Sequence, residues 1–218
     1  MITTSAQRIS AVRAVYDIIV RKPFTLDTLV RTELEFDGIY SYMTSEQRDF
    51  YLRTALAIGA QEAARYRGQD VNALAKQLGA GVYEAEDLFR ERDKTRILYA
   101  EYDADSRQIT VHEAGVRWVA SLISLSGRSK PAYASWNETT KNAFLQAARE
   151  LLIAHELFHH LEATSLGPVH RTLPPMSVSL LGGFWKARRY VKCTREIAAH
   201  SFAFTLLEMN ARFPRTTD

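Results

Sequence analysis

The 218 residues contain one cysteine, Cys193. No disulfide can form within them, which excludes a disulfide-stapled secreted scaffold, and a cysteine-based zinc finger lacks its thiols. No run approaches the roughly 20 apolar residues that a membrane span needs. The opening residues, Met1-Ile2-Thr3-Thr4-Ser5-Ala6-Gln7-Arg8, lack the apolar core of a signal peptide. A cytoplasmic location without a membrane partner is therefore expected. Charge of one sign is scarce as well: the net charge is +3, too small for a dedicated nucleic-acid coat, and no direct nucleic-acid partner is expected. Tails of one charge, low-complexity segments and internal repeats are missing too. One scarcity is local: no aspartate falls between Asp105 and Asp218. What remains is ordinary for a globular domain, with 46% hydrophobic and 24% charged residues, enough to build a buried core.

Periodicity and turn chemistry read as one domain over residues 1–218, with no separating linker. Residues 5–20 repeat Ile9, Val12, Val15, Tyr16 and Ile19 at helical spacing, and Pro23 closes that helix. Thr44-Ser45-Glu46-Gln47 has the form of a capping box. It opens a helix to about Tyr66, with Phe50, Leu52, Ala55, Leu56 and Ile58 suited to its buried face. Asp70 caps a short helix over 71–78, stopped by Gly79-Ala80-Gly81. The period then changes to two. Residues 82–85, 96–102 and 108–112 read as strands, the last two forming a hairpin around Asp103-Ala104-Asp105-Ser106. A helix follows over 113–126, then a loop over 127–134. Ser135-Trp136-Asn137-Glu138 reads as a second capping box opening a long helix to about Ala163. Pro168, Pro174, Pro175, Gly182 and Gly183 mark 165–185 as a long loop, and 194–209 as the last helix. Phe202, Phe204, Leu206 and Leu207 belong to its core face, and Cys193 reads as a packed residue. The fold class expected is α+β, mainly helical, with a small three-stranded sheet.

Three of the six histidines, His155, His159 and His160, fall within six residues. The first two belong to His155-Glu156-Leu157-Phe158-His159, an HExxH motif. A helix turns about 100° per residue, so His155 and His159 lie about 40° apart on one face, one turn apart along the axis. Two imidazoles so placed can hold one Zn²⁺, with Glu156 beside them to take a proton from the metal's water. A chance match in a chain of this composition is on the order of one per cent. The motif also sits on a capped, apolar-faced helix, where its mechanism requires it.

A catalytic zinc needs a third protein ligand. The His-x-x-Gly-x-x-His extension fails, because Glu162 and Ser165 occupy the positions of its Gly and last His. The gap in aspartates leaves Glu162, Glu196, Glu208, His160, His170 and His200. Glu162 lies a turn beyond His159, and His160 points about 100° away from it. Glu196 and His200 share one face of the last helix, with Ala199 and Ala203 as small neighbours. Glu196 is favoured, with His200 as the runner-up ligand or a supporting partner.

The motif, followed about forty residues later by Glu196-Ile197-Ala198-Ala199-His200-Ser201-Phe202-Ala203, resembles the ImmA/IrrE family of zinc metallopeptidases. The family pattern is HExxH followed by a Glu-x-x-Ala-Asn-x-Phe-Ala helix. The resemblance implies that His155, His159 and Glu196 are metal ligands and that Glu156 is the general base. It covers residues 55–210 and implies a zincin-like arrangement there; residues 1–54 have no counterpart in it and read as an N-terminal helical extension. His200 stands where the family has Asn, and the loop between the motifs is longer than is typical. The activity implied is zinc-dependent hydrolysis of a peptide bond by a site-specific regulatory protease. Its partner is a protein or peptide substrate, in that family typically a helix-turn-helix repressor. The alternative is a non-catalytic zinc-binding module for protein interaction, against which the intact Glu156 argues.

Three further expectations follow. An edge strand, 97–102 or 108–112, can pair with an extended substrate. The basic run Lys186, Arg188, Arg189, Lys192 and Arg195 reads first as a solvated face and second as a docking patch. His170 or Tyr190 could assist at the scissile carbonyl.

Overall fold

The computed structural model describes residues 24–85, 99–125, 137–180 and 185–209. The helix expected over 5–20, the loop over 127–134 and the first residues of the strand at 96–102 lie outside them. Helix α1 (Leu26–Glu35) begins at Thr25, whose side chain accepts from the Thr28 amide. Helix α2 (Ser45–Ala64) opens with the expected box: Thr44 accepts from the Gln47 amide and Gln47 accepts from the Thr44 amide. Helix α3 (Val71–Leu78) is capped by Asp70 and ends at Gly79, whose φ of 83° is open to glycine at no cost. Strands β1 (Gly81–Ala85), β2 (Ala100–Asp103) and β3 (Gln108–His112) make a sheet in the order β1-β3-β2. β1 runs parallel to β3, and β2 antiparallel to it. Asp103 builds the hairpin turn by accepting from the Asp105 amide and the Ser106 hydroxyl. Helix α4 (Glu113–Leu125) follows directly. The mainly helical α+β class with a small three-stranded sheet is as expected.

The long helix α5 (Glu138–Leu161) starts later than the sequence suggests. Its cap is the Asn137 side chain on the Thr140 amide; the expected box at Ser135-Trp136 lies outside the described residues. It runs into a π-helical turn, Glu162–Leu166. The 165–185 segment holds more structure than a loop: a short helix α6 (Val169–Thr172) and strand β4 (Met176–Leu180), paired antiparallel with β5 (Trp185–Arg189). Buried Met176 and Val178 alternate with exposed Ser177 and Ser179, a period of two that the surrounding prolines and glycines obscured. Helix α7 (Thr194–Leu206) closes the described chain.

The core forms where α7 meets α1, α2 and α5. Phe158 of α5 and Phe202 of α7 are fully buried with their rings 5.5 Å apart. The contact of α2 with α7 is the most extensive between any two elements, and Gly59 is the reason it is so close. A methyl group there would overlap the Ala198 carbonyl oxygen and crowd Ser201 Cβ at 2.8 Å. Ser201 uses the proximity, donating to the Leu56 carbonyl at 2.7 Å. Gly59→Ala should therefore destabilise the fold by about 1–3 kcal/mol, although alanine is worth up to about 1 kcal/mol more than glycine in an isolated helix. Urea unfolding decides between the two signs, and a more stable variant would disprove the tight contact.

Helix α2 runs continuously through residues 54 and 55, and residues from 29 to 52 supply core side chains such as Leu29, Val30 and Leu52. One other expectation changes. Phe50 turns outward, 45% exposed, and Tyr51 takes the buried place, its hydroxyl donating to the Pro174 carbonyl. Cys193 is packed, and burial together with the Asp37 carboxylate pushes its thiol pKa up. Among the described residues no helix is long and apolar enough to cross a membrane.

Candidate metal centre

Helix α5 carries His155 and His159 one turn apart, and the first turn of α7 carries Glu196. The packing of Phe158 on Phe202 holds the two helices together here. Glu196 Oε2 lies 3.2 Å from His155 Nε2 and 3.3 Å from His159 Nε2. The three candidate ligand atoms are all within 4.8 Å of one another, and no other such group occurs among the described residues. Two imidazole nitrogens and one carboxylate oxygen are the donor set and number that a catalytic metal takes from protein, leaving its next position to water or substrate. The residues therefore fit a metal ion.

Charge and hydrogen bonding hold these side chains together. Burial opposes the charged form of His159, but hydrogen bonds to Glu162 and Glu196 outweigh it and raise the pKa to about 9. Burial likewise works against ionised Glu196, yet its bonds to His155 and His159 keep it well below the usual carboxylate range. His155 goes the other way: burial, then the neighbouring His200, lower its pKa.

Glu162 stands outside the metal-capable group and holds one of its members in place. It is 5% exposed and sits at the start of the π-helical turn, a distortion found often at functional sites. Its Oε2 lies 2.9 Å from His159 Nδ1 and accepts from Arg195 Nε at 3.2 Å, while Oε1 accepts from the Val169 amide at 2.9 Å. Arg195 Nη2 also comes within 3.2 Å of His159 Nδ1, but a guanidinium only donates, so the carboxylate is the partner both groups face. With its Nδ1 proton committed to Glu162, His159 leaves Nε2 free to face a metal ion. Glu162→Ala is expected to weaken metal affinity about 10–100-fold, read by competition with a chromophoric chelator. Unchanged affinity in a folded variant would remove the orienting role.

Glu156 faces a different space. It is half-buried and lines a cavity of about 270 Å³ that it shares with His155, Glu196 and His200. A second cavity of about 480 Å³ is lined by His159, Glu162, Thr164, Ser165 and Arg195 among others. Residues flanking and within β2 reach both: Tyr99 and Ala100 line the first, Tyr102 and Ala104 the second. Among the described residues β2 is an edge of its sheet, whereas β3 is central and already paired on both sides. Of the two strands considered for substrate pairing, 108–112 is therefore excluded.

The remaining candidates go elsewhere. His160 is almost fully buried: its Nε2 donates to the Leu78 carbonyl at 3.0 Å, and the Tyr102 hydroxyl meets Nδ1 at 2.9 Å. Glu208 pairs with Arg67. His200 packs on the His155 ring, centroids 4.6 Å apart, with its Nε2 3.6 Å from Glu33. It is a supporting neighbour and stands outside the ligand group. His170 and Tyr190 face each other at 6.0 Å and line neither cavity. Lys186, Arg188, Arg189 and Lys192 are exposed, as a solvated face should be, while Arg195 turns into the site. The roles of Glu162 and Arg195 were missed in the sequence, although the spacing of three between His159 and Glu162 was a readable sign. Comparison with protein-family models, with curated proteins and with solved structures finds no match to this chain.

Proposed function

We propose that this chain is a zinc-dependent metallopeptidase. The observation that carries the reading is the convergence of His155, His159 and Glu196 from two helices, with Glu156 on the wall of the adjoining cavity. A structural zinc site has no use for such a carboxylate. Zinc suits a set of two imidazoles and one carboxylate; when bound it would acidify a water and polarise the scissile carbonyl. The protein's own part follows from position. Glu156 takes a proton from the attacking water and returns it to the leaving amine. Glu162 and Arg195 hold His159 in place. The edge of β2 offers backbone groups to an extended peptide, which would then cross between the two cavities in front of the ligands.

The two motifs that resemble the ImmA/IrrE family support a site-specific regulatory protease. A helix-turn-helix repressor is the favoured protein substrate, and the cytosol the place of action. The test is a mixed peptide pool incubated with zinc-loaded protein. Cleavage that stops on chelation and returns with zinc is expected, at near-stoichiometric zinc content. A chain that binds no zinc, or binds it and cleaves nothing in the pool or in a repressor, overturns the proposal.

A further inference from the structure

We infer that the cavity beside Glu156 is a side-chain subsite, selecting one branched aliphatic or aromatic residue of the substrate next to the bond that is cut. This rests on the peptidase reading. The cavity is walled by four helices: Leu29 from α1, Val119 and Leu122 from α4, Leu151 and Leu152 from α5, and Ala203 from α7. Its volume of about 270 Å³ falls just below the roughly 300–1,000 Å³ of sites that enclose a drug-sized molecule. That is room for a single side chain. Continuity with the reaction centre identifies the occupant. Leu151 and Leu152 lie about one turn before His155 and Glu156 on α5, so the apolar walls and the base belong to one helix surface. A residue adjoining the scissile bond is the part of a substrate that can reach there.

The polar groups in the walls have partners. Glu33 faces His200, and Glu196 faces His155 and His159. Acidic side chains would meet these carboxylates and Glu156, and a short side chain would leave the space unfilled. The second cavity has a mixed wall, in which His159, Glu162 and Arg195 stand beside Ala163 and Pro168, so it makes a poorer match to an apolar side chain. Filling an apolar pocket with a matching side chain discriminates by about tenfold or more per well-placed group.

The test uses zinc-loaded full-length protein and the hydroxamates of leucine, phenylalanine, glycine, aspartate and lysine, with binding measured by calorimetry. Turnover is not needed. Leucine and phenylalanine hydroxamates are expected to bind at least about tenfold more tightly than the other three. Val119→Phe should erase that preference by filling the space, and Val119→Ala should shift it toward phenylalanine. Should Val119→Phe fail to fold, the Val119→Ala series decides. Equal binding of all five, tighter binding of lysine, or a preference that neither variant alters would overturn the subsite and leave the metal centre standing. A protein that takes up no zinc and binds no hydroxamate would overturn the peptidase reading and the subsite together.

Discussion

Glu156→Gln should lower peptide hydrolysis by about 10²–10⁴-fold, the usual contribution of a general base, while zinc content stays at the wild-type level. The separation follows from geometry. Glu156 lines the cavity but is outside the group formed by His155, His159 and Glu196. Glutamine keeps the size of the side chain and its place on α5, and removes only the capacity to take a proton. A folded Glu156→Gln protein that cleaves at the wild-type rate would leave the reaction without a base and end the proposed mechanism. Loss of zinc in the same variant would mean that Glu156 is a ligand.

The second large effect is on stability. A ligand that binds only the folded chain stabilises it by about 4 kcal/mol at a thousandfold excess over its Kd. For a chain of this size that is roughly 8–16 °C in Tm. Zinc should therefore raise Tm substantially, and Glu196→Ala should remove the shift. Proton competition sets its pH dependence. In the metal-free chain the His159 pKa is raised to about 9, so below that value zinc must displace a proton. The shift should grow as pH rises from about 6 toward 9. Differential scanning fluorimetry at several pH values checks both parts. A Glu196→Ala protein with an undiminished zinc response would place the metal elsewhere.

Sequence legibility followed the range of the forces involved. The HExxH pair and the caps at Thr44 and Asp70 are encoded within a few residues, and the structure contains them. Glu196 was readable because the chain offers few acidic rivals after Asp105. The pairing of Glu162 with Arg195 was not readable, because 33 residues separate them and only the docking of α7 on α5 brings them together. The β4–β5 hairpin was lost among prolines and glycines that punctuate its ends. The choice between β2 and β3 as the edge depended on sheet order, which strand patterns alone leave open. The apolar cavity is likewise a product of four helices and has no signature in any one of them.

The histidine of α5 that lies outside the metal-capable group has its own consequence. His160 ties the Leu78 carbonyl at the end of α3 and the Tyr102 hydroxyl on β2 to the helix that carries His155 and His159. It thus works as a gauge block, fixing the clearance between β2 and the histidine one residue away on the same helix. The width of the gap between strand and histidines is built into α5 itself, so the two are kept in register by a single covalent frame.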